Sequence, residues 1–79
     1  MATTLEEVIA AFSREMATDD PITGKDSPAS MGYDSLDLIE AMLDLEEVFP
    51  NANLEAYEPG LGVTFEEMAA EIDKRNRLQ

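Results

Sequence analysis

Three times along this chain a side chain suited to capping a helix is followed three places later by an acid, and an apolar stripe comes next. Thr3 and Thr4 precede Glu6 and Glu7, Asp34 precedes Asp37, and Thr64 precedes Glu67. This reciprocal arrangement, the capping box, occupies backbone N–H groups that the first turn of a helix leaves without partners. Leu5, Val8, Ile9, Phe12 and Met16 recur at helical spacing and predict a first helix over about residues 4–17. Leu38, Met42, Leu45 and Phe49 predict a second, from Ser35 to Phe49, ended by Pro50 because the residue before a proline avoids helical angles. Phe65, Met68, Ala69 and Ile72 form the inward stripe of a third, which starts at Thr64 and ends near Arg75 to Leu78. Lys74, Arg75 and Arg77 suit the negative end of its dipole.

Between these segments the composition changes. Residues 18–34 hold two prolines, two glycines and several Ser, Thr and Asp, which favour turns over continuous helix. A long loop is expected there, anchored by Ile22 and Met31. Residues 51–63 read as loop with one helical turn over Leu54 to Tyr57. The fold class is therefore all-α: a small bundle of three main helices plus a short fourth, with a long first loop, in one domain over residues 1–79. A chain of 79 residues buries only about 60% of the surface its unfolded form exposes, and 44% hydrophobic content is enough for a core of that size.

Several chemistries drop out at once. There is no cysteine, so neither disulfides nor thiolate metal sites are possible, and there is no histidine. The N-terminus carries acids where a signal peptide carries bases, and its longest apolar run is the five residues Val8 to Phe12. That is far below the roughly 20 residues a membrane helix needs. The expectation is a cytoplasmic monomer with no membrane span. Acids number 18 against 5 bases, for a net charge of −13. Between Lys25 and Lys74 no base occurs while 13 acids do. Such a surface repels nucleic acid and anionic lipid, and it draws in basic protein surfaces.

The second helix carries two apolar stripes. At about 100° per residue, Leu38, Met42, Leu45 and Phe49 share one narrow stripe. Leu36, Ile39 and Leu43 share another, centred roughly 130° away. Glu40 and Glu47 border the second stripe, with Asp37 and Asp44 further round. A bundle this small cannot easily bury both. Either the second stripe is a docking patch with an acidic rim, or it covers the long loop.

Ser35, at the start of this helix, is not a self-sufficient nucleophile. It has no histidine to take its proton, and the nearest lysine in sequence, Lys25, lies ten residues away. The pairs Asp34/Asp37 and Glu46/Glu47 read as solvated acids, and no window fits a calcium-binding loop. No catalytic or metal-ligating residue is expected. Ser35 can simply open the helix behind the Asp34 cap, or carry a phosphate ester near the free N–H groups of the first turn. The neighbouring aspartates oppose the ester, so electrostatics alone leaves both open.

Gly32-Tyr33-Asp34-Ser35-Leu36-Asp37, followed by Leu38-Ile39-Glu40 and Leu45-Glu46-Glu47-Val48-Phe49, closely resembles the acyl carrier protein family. Its signature is a glycine shortly before Asp-Ser-Leu, opening an acidic helix. The helical segments on either side extend the resemblance over nearly the whole chain. The resemblance implies that Ser35 carries 4′-phosphopantetheine, installed from coenzyme A by a separate phosphopantetheinyl transferase. The arm's thiol would hold an acyl group as a thioester, so a cysteine-free chain would borrow its sulfur. By the same resemblance Asp34, Leu36, Asp37, Ile39, Glu40, Leu43 and Glu47 dock partner enzymes. Those partners would be acyl-transferring and ketosynthase-type enzymes with basic surfaces, in fatty acid or polyketide-type biosynthesis, and the chain itself would catalyse nothing.

Two departures from the family pattern stand out. Residues 51–63 form a longer segment than usual, with Pro59-Gly60-Leu61-Gly62 in place of a short acidic helix and its link. Ser27-Pro28-Ala29-Ser30 replaces a bulkier apolar or acidic run. The longer segment raises the expectation of a pocket adapted to an unusual chain. The competing expectations are an unmodified acidic helical interaction module and a carrier of aminoacyl groups.

Overall fold

The computed structural model describes residues 3–16 and 21–77. It is built from three α-helices, α1 (Thr4–Met16), α2 (Ser35–Val48) and α3 (Phe65–Arg77), with no strand among the described residues. The expected extension of the first helix to residue 17, the side chain of Met16, loop residues 18–20 and the position of Leu78 lie outside those residues.

All three capping boxes form. Of the two candidate threonines, Thr3 caps α1: its hydroxyl accepts from the Glu6 amide at 3.1 Å, and its own amide donates to the Glu6 carboxylate at 3.0 Å. The backbone bond from Thr3, then the one from its hydroxyl, hold the Glu6 carboxyl below its ordinary value. Thr4 is thereby released to donate to the Asp73 carboxylate, tying the start of α1 to α3. At α3 the Thr64 hydroxyl accepts from the Glu67 amide at 3.2 Å, and the Thr64 amide reaches Glu67 at 3.3 Å.

α1 packs against both α2 and α3. Val8, Ala11 and Phe12 of α1, Leu38, Ala41, Met42 and Leu45 of α2, and Phe65, Met68, Ala69 and Ile72 of α3 make the core. Phe12 is its hinge point. Its ring meets Phe65 at 4.8 Å and the edge of Tyr33 at 5.3 Å, the latter nearly perpendicular at 84°. α2 stops at Val48, one residue before its expected end. Phe49 still donates to the Leu45 carbonyl at 2.8 Å, but its φ of −124° and ψ of 66° turn the chain toward Pro50.

The short fourth helix is no more than a 3-10 turn. The expected turn is at Leu54–Ala56, and another, Pro50–Ala52, precedes it. Asn53 between them sits in the left-handed region, at φ 54° and ψ 52°, which breaks any continuous helix. Tyr57 is already extended, and Pro59 prevents renewal beyond it. Buried Ala52 and Leu54 bring the pair of turns onto the core, with the first turn bridging α2 and α3.

The long loop is held by its own backbone. The Gly24 and Asp26 carbonyls accept from the Glu66 and Phe65 amides, both at 2.9 Å, satisfying two free donors of the first turn of α3. A side chain at Gly24 would crowd Leu5 at 3.1 Å and Glu66 at 3.2 Å, so glycine permits this approach. Ile22 and Met31 pack against the core as expected, while Ser27, Pro28 and Tyr33 are buried. Gly32 adopts φ +84° with nothing within 4 Å of the position a β-carbon would take. Gly32→Ala is therefore expected to cost about 1–2 kcal/mol purely through backbone strain. Gly62→Ala, in equally open space and without a positive φ, should not destabilise. Thermal melts of the two variants check this, and equal melting temperatures would contradict it.

Candidate functional site

Asp34 is the N-cap of α2. Its carboxylate accepts from the Asp37 amide at 2.9 Å, and the Asp37 carboxylate accepts from the Asp34 amide at 3.2 Å. The two aspartates complete the box between them, so Ser35 begins the helix without serving as its cap. It is exposed. What fixes it in space is the residue two places back. Tyr33 is 4% exposed, and its hydroxyl donates to the Phe12 carbonyl at 2.5 Å. Burial, followed by the charges of Asp37 and Glu15, pushes the Tyr33 hydroxyl above its ordinary value and keeps it a donor. The anchored tyrosine and the turn at Gly32 thus aim the start of α2 outward.

Ser35 stands at one end of a cleft of about 320 Å³. The α2 wall is made by Leu38, Ile39, Met42, Leu43 and Glu46, and the opposite wall by Leu54, Glu55, Tyr57, Glu58 and Pro59. From Ser35 to Glu46 the cleft follows α2 for about 16 Å, at 1.5 Å per residue. The opposite wall is pinned by Arg75 of α3. Its guanidinium lies 5.1 Å from the centre of the Tyr57 ring, donates to the Asn53 carbonyl at 3.3 Å and pairs with Glu71 at 2.7 Å. Burial, with the Glu71 and Glu67 charges only partly offset by Arg75, raises the Tyr57 hydroxyl above its ordinary value.

Around α2 the environment changes in order. Taking Ser35 as zero and about 100° per residue, the cleft side is centred near 10° and the strip of Leu36, Glu40, Leu43 and Glu47 near 110°. Asp37 and Asp44 lie near 190° and face α1, and the core fills the rest. Leu36, Ile39 and Leu43 are 60%, 56% and 55% exposed, so the second apolar stripe does not cover the long loop. Val48, 42% exposed, adds apolar surface at the far end of the helix. Asp34, Glu40 and Glu47 are exposed, and Asp37 is half-buried in the capping box. The structure therefore brings Ser35, Ile39 and Leu43 to the cleft and leaves Asp34, Leu36, Asp37, Glu40 and Glu47 outside it.

On the α1 side of α2 the carboxylates crowd. Glu15 of α1 carries a carboxyl raised above 4.5, first by a hydrogen bond with Glu40, then by partial burial and the charges of Glu40, Asp44 and Asp37. Arg14 reaches Asp44 only at 3.8 Å with both side chains largely solvated, a pair worth little. Because the carboxyl is raised in the fold, its favourable contribution is complete below 4.5 and is lost as pH climbs through the folded-state value. Glu15→Gln is therefore expected to melt at a higher temperature than the parent at pH 7, with the gap closing at pH 4. A variant no more stable than the parent at pH 7 would count against repulsion at this contact.

Sequence reasoning did not identify Tyr33 as the anchor of Ser35, nor the far wall from Leu54 to Pro59. For the wall a signal existed, since Leu54 and Tyr57 stand three apart inside a segment whose length already stood out. Among the described residues no cluster of side chains could hold a metal ion, and no helix is long and apolar enough to cross a membrane. Compared with protein-family models, with curated proteins and with solved structures, the chain matches none.

Proposed function

We propose that this chain is an acyl carrier, modified on Ser35 with 4′-phosphopantetheine taken from coenzyme A. The observation that carries the reading is the state of Ser35: an exposed residue on a rigid helix start, free of capping duty, at the mouth of an apolar cleft. A transferase needs an accessible hydroxyl, and a buried or capping serine would fit poorly. The arm, once attached, supplies a thiol that holds the cargo as a thioester. The chain's own residues position and present it. Tyr33 and Gly32 set the direction of the attachment point, and the cleft offers apolar shelter. The strip of Leu36, Ile39 and Leu43, bordered by Asp34, Asp37, Glu40 and Glu47, offers partners with basic surfaces an apolar centre inside a charged rim. Fatty acyl and polyketide-type groups suit the apolar lining.

The same strip would also serve an unmodified interaction module, and one experiment separates the two. The protein is incubated with coenzyme A, magnesium and a broad-specificity phosphopantetheinyl transferase, and its intact mass is measured. The expected result is a gain of one phosphopantetheine, absent in Ser35→Ala. No gain with several transferases would overturn the carrier reading in favour of the module.

A further inference from the structure

Residues 55–60 run along the far side of the cleft on few attachments. Buried Leu54 anchors them at one end. At the other, the Leu61 carbonyl accepts from the Ala29 amide at 2.8 Å. Between these anchors the backbone bonds are local. The Ala56 amide donates to the Asn53 carbonyl at 3.1 Å, the Tyr57 amide to the Leu54 carbonyl at 3.0 Å, and the Val63 amide to the Gly60 carbonyl at 3.2 Å. Among the described residues no hydrogen bond joins residues 55–60 to α2 or α3. Glu55, Ala56, Glu58 and Gly60 are exposed, so the grip on this stretch falls to the half-buried Tyr57. Its ring lies 5.1 Å from the Arg75 guanidinium. The same guanidinium donates to the Asn53 carbonyl and pairs with Glu71. One cation of α3 therefore ties the fixed end of the stretch to its middle.

We infer that residues 55–60 are a strap that swings away from the cleft, pivoting at Leu54 and Gly60, and that Arg75 is the latch that keeps it closed through the Tyr57 ring. The inference goes beyond the carrier reading and holds whether or not Ser35 is modified. Gly60 suits a pivot, with nothing within 4 Å of the position a β-carbon would take. Arg75 stands two residues before the end of α3, in its last turn. Helix ends open more readily than helix centres, because their final carbonyls lack partners within the helix. Fraying of this turn withdraws the guanidinium from the Asn53 carbonyl and the Tyr57 ring together. The end of α3 thus sets how often the cleft beside Ser35 opens. A contact that steadies the turn keeps the strap down, and one that unwinds it lifts the strap.

The test treats the unmodified protein with dilute hydrogen peroxide and follows the oxidation of each methionine by peptide mass. Each event moves one oxygen from peroxide to a thioether sulfur and releases water. Met42 lines the cleft at 8% exposure, whereas Met68 lies in the core at 0% and reports loosening of the whole bundle. Arg75→Gln is expected to speed oxidation of Met42 about fivefold, the scale of one cation–π contact, and to leave Met68 unchanged. Tyr57→Leu should do the same, and the two substitutions together should add nothing to either, since both break one latch. Arg75→Lys and Tyr57→Phe each keep a cation over a ring and should stay within about twofold of the parent. If Arg75→Gln does not fold, Tyr57→Leu against Tyr57→Phe makes the same comparison. An unchanged Met42 rate in Arg75→Gln or Tyr57→Leu would overturn the latch. Met42 and Met68 speeding up together would overturn it too, by making Arg75 a support of the bundle as a whole.

Discussion

Phe12→Ala is expected to lower stability by about 3–5 kcal/mol, the range for removing a fully buried phenylalanine. A domain of 79 residues has only about 4–12 kcal/mol in total, so much of its population should unfold near physiological temperature. The melting temperature should fall by roughly 15–30 °C. The size of the effect follows from what converges on one ring. Phe65 brings in α3 and Tyr33 brings in the approach to α2, and each aromatic contact adds about 0.5–1.5 kcal/mol beyond area burial. The Phe12 carbonyl also receives the Tyr33 hydroxyl, two residues before Ser35. Core damage at α1 should therefore reach the attachment point too. Calorimetry or thermal circular dichroism reads the shift, and a drop of only a few degrees would mean that the core can close over the missing ring.

The second large effect is functional and should leave the fold alone. Leu36→Glu/Leu43→Glu places two charges on side chains that are already 60% and 55% exposed, so melting should change by only a few degrees. If these leucines form the apolar centre of the docking strip, losing them should cost about 2 kcal/mol, the scale of an interface hot spot. The rate constant kcat/KM for phosphopantetheinyl transfer to Ser35 should then fall about 30-fold, measured by intact mass over time. An unchanged rate on an unchanged fold would show that the transferase reaches Ser35 without this strip.

The helices were legible because their signals are local. A Thr or Asp followed three places on by an acid places a helix start; of the α1 stripe Val8 and Phe12 are buried and Leu5 and Ile9 partly so, and the α3 stripe is buried throughout. The double character of α2 was legible for the same reason, since angles around a helix follow from residue numbers alone. Ala41 entered the core unannounced because a small apolar residue adds little to any periodic pattern, yet it sits at 0% exposure. What sequence could not give was set by contacts between distant segments. Tyr33 looks like any loop aromatic until the Phe12 carbonyl comes within reach of its hydroxyl. The expected helical turn over Leu54 to Tyr57 is the 3-10 turn Leu54–Ala56, and the left-handed backbone of Asn53, whose carbonyl accepts from Arg75 22 residues away, keeps it from joining the turn before it. The far wall of the cleft, from Leu54 to Pro59, depends on that same placement.

The carbonyls of Gly24 and Asp26 that receive the Glu66 and Phe65 amides have a bearing on motion. The strand of chain that delivers Ser35 is stapled to the opening turn of a helix some forty positions downstream, so neither can loosen alone. Fraying at that turn and reorientation of the serine's approach become a single opening event. Deuterium uptake at those two amides would report, from a distant part of the sequence, how often the attachment point wanders.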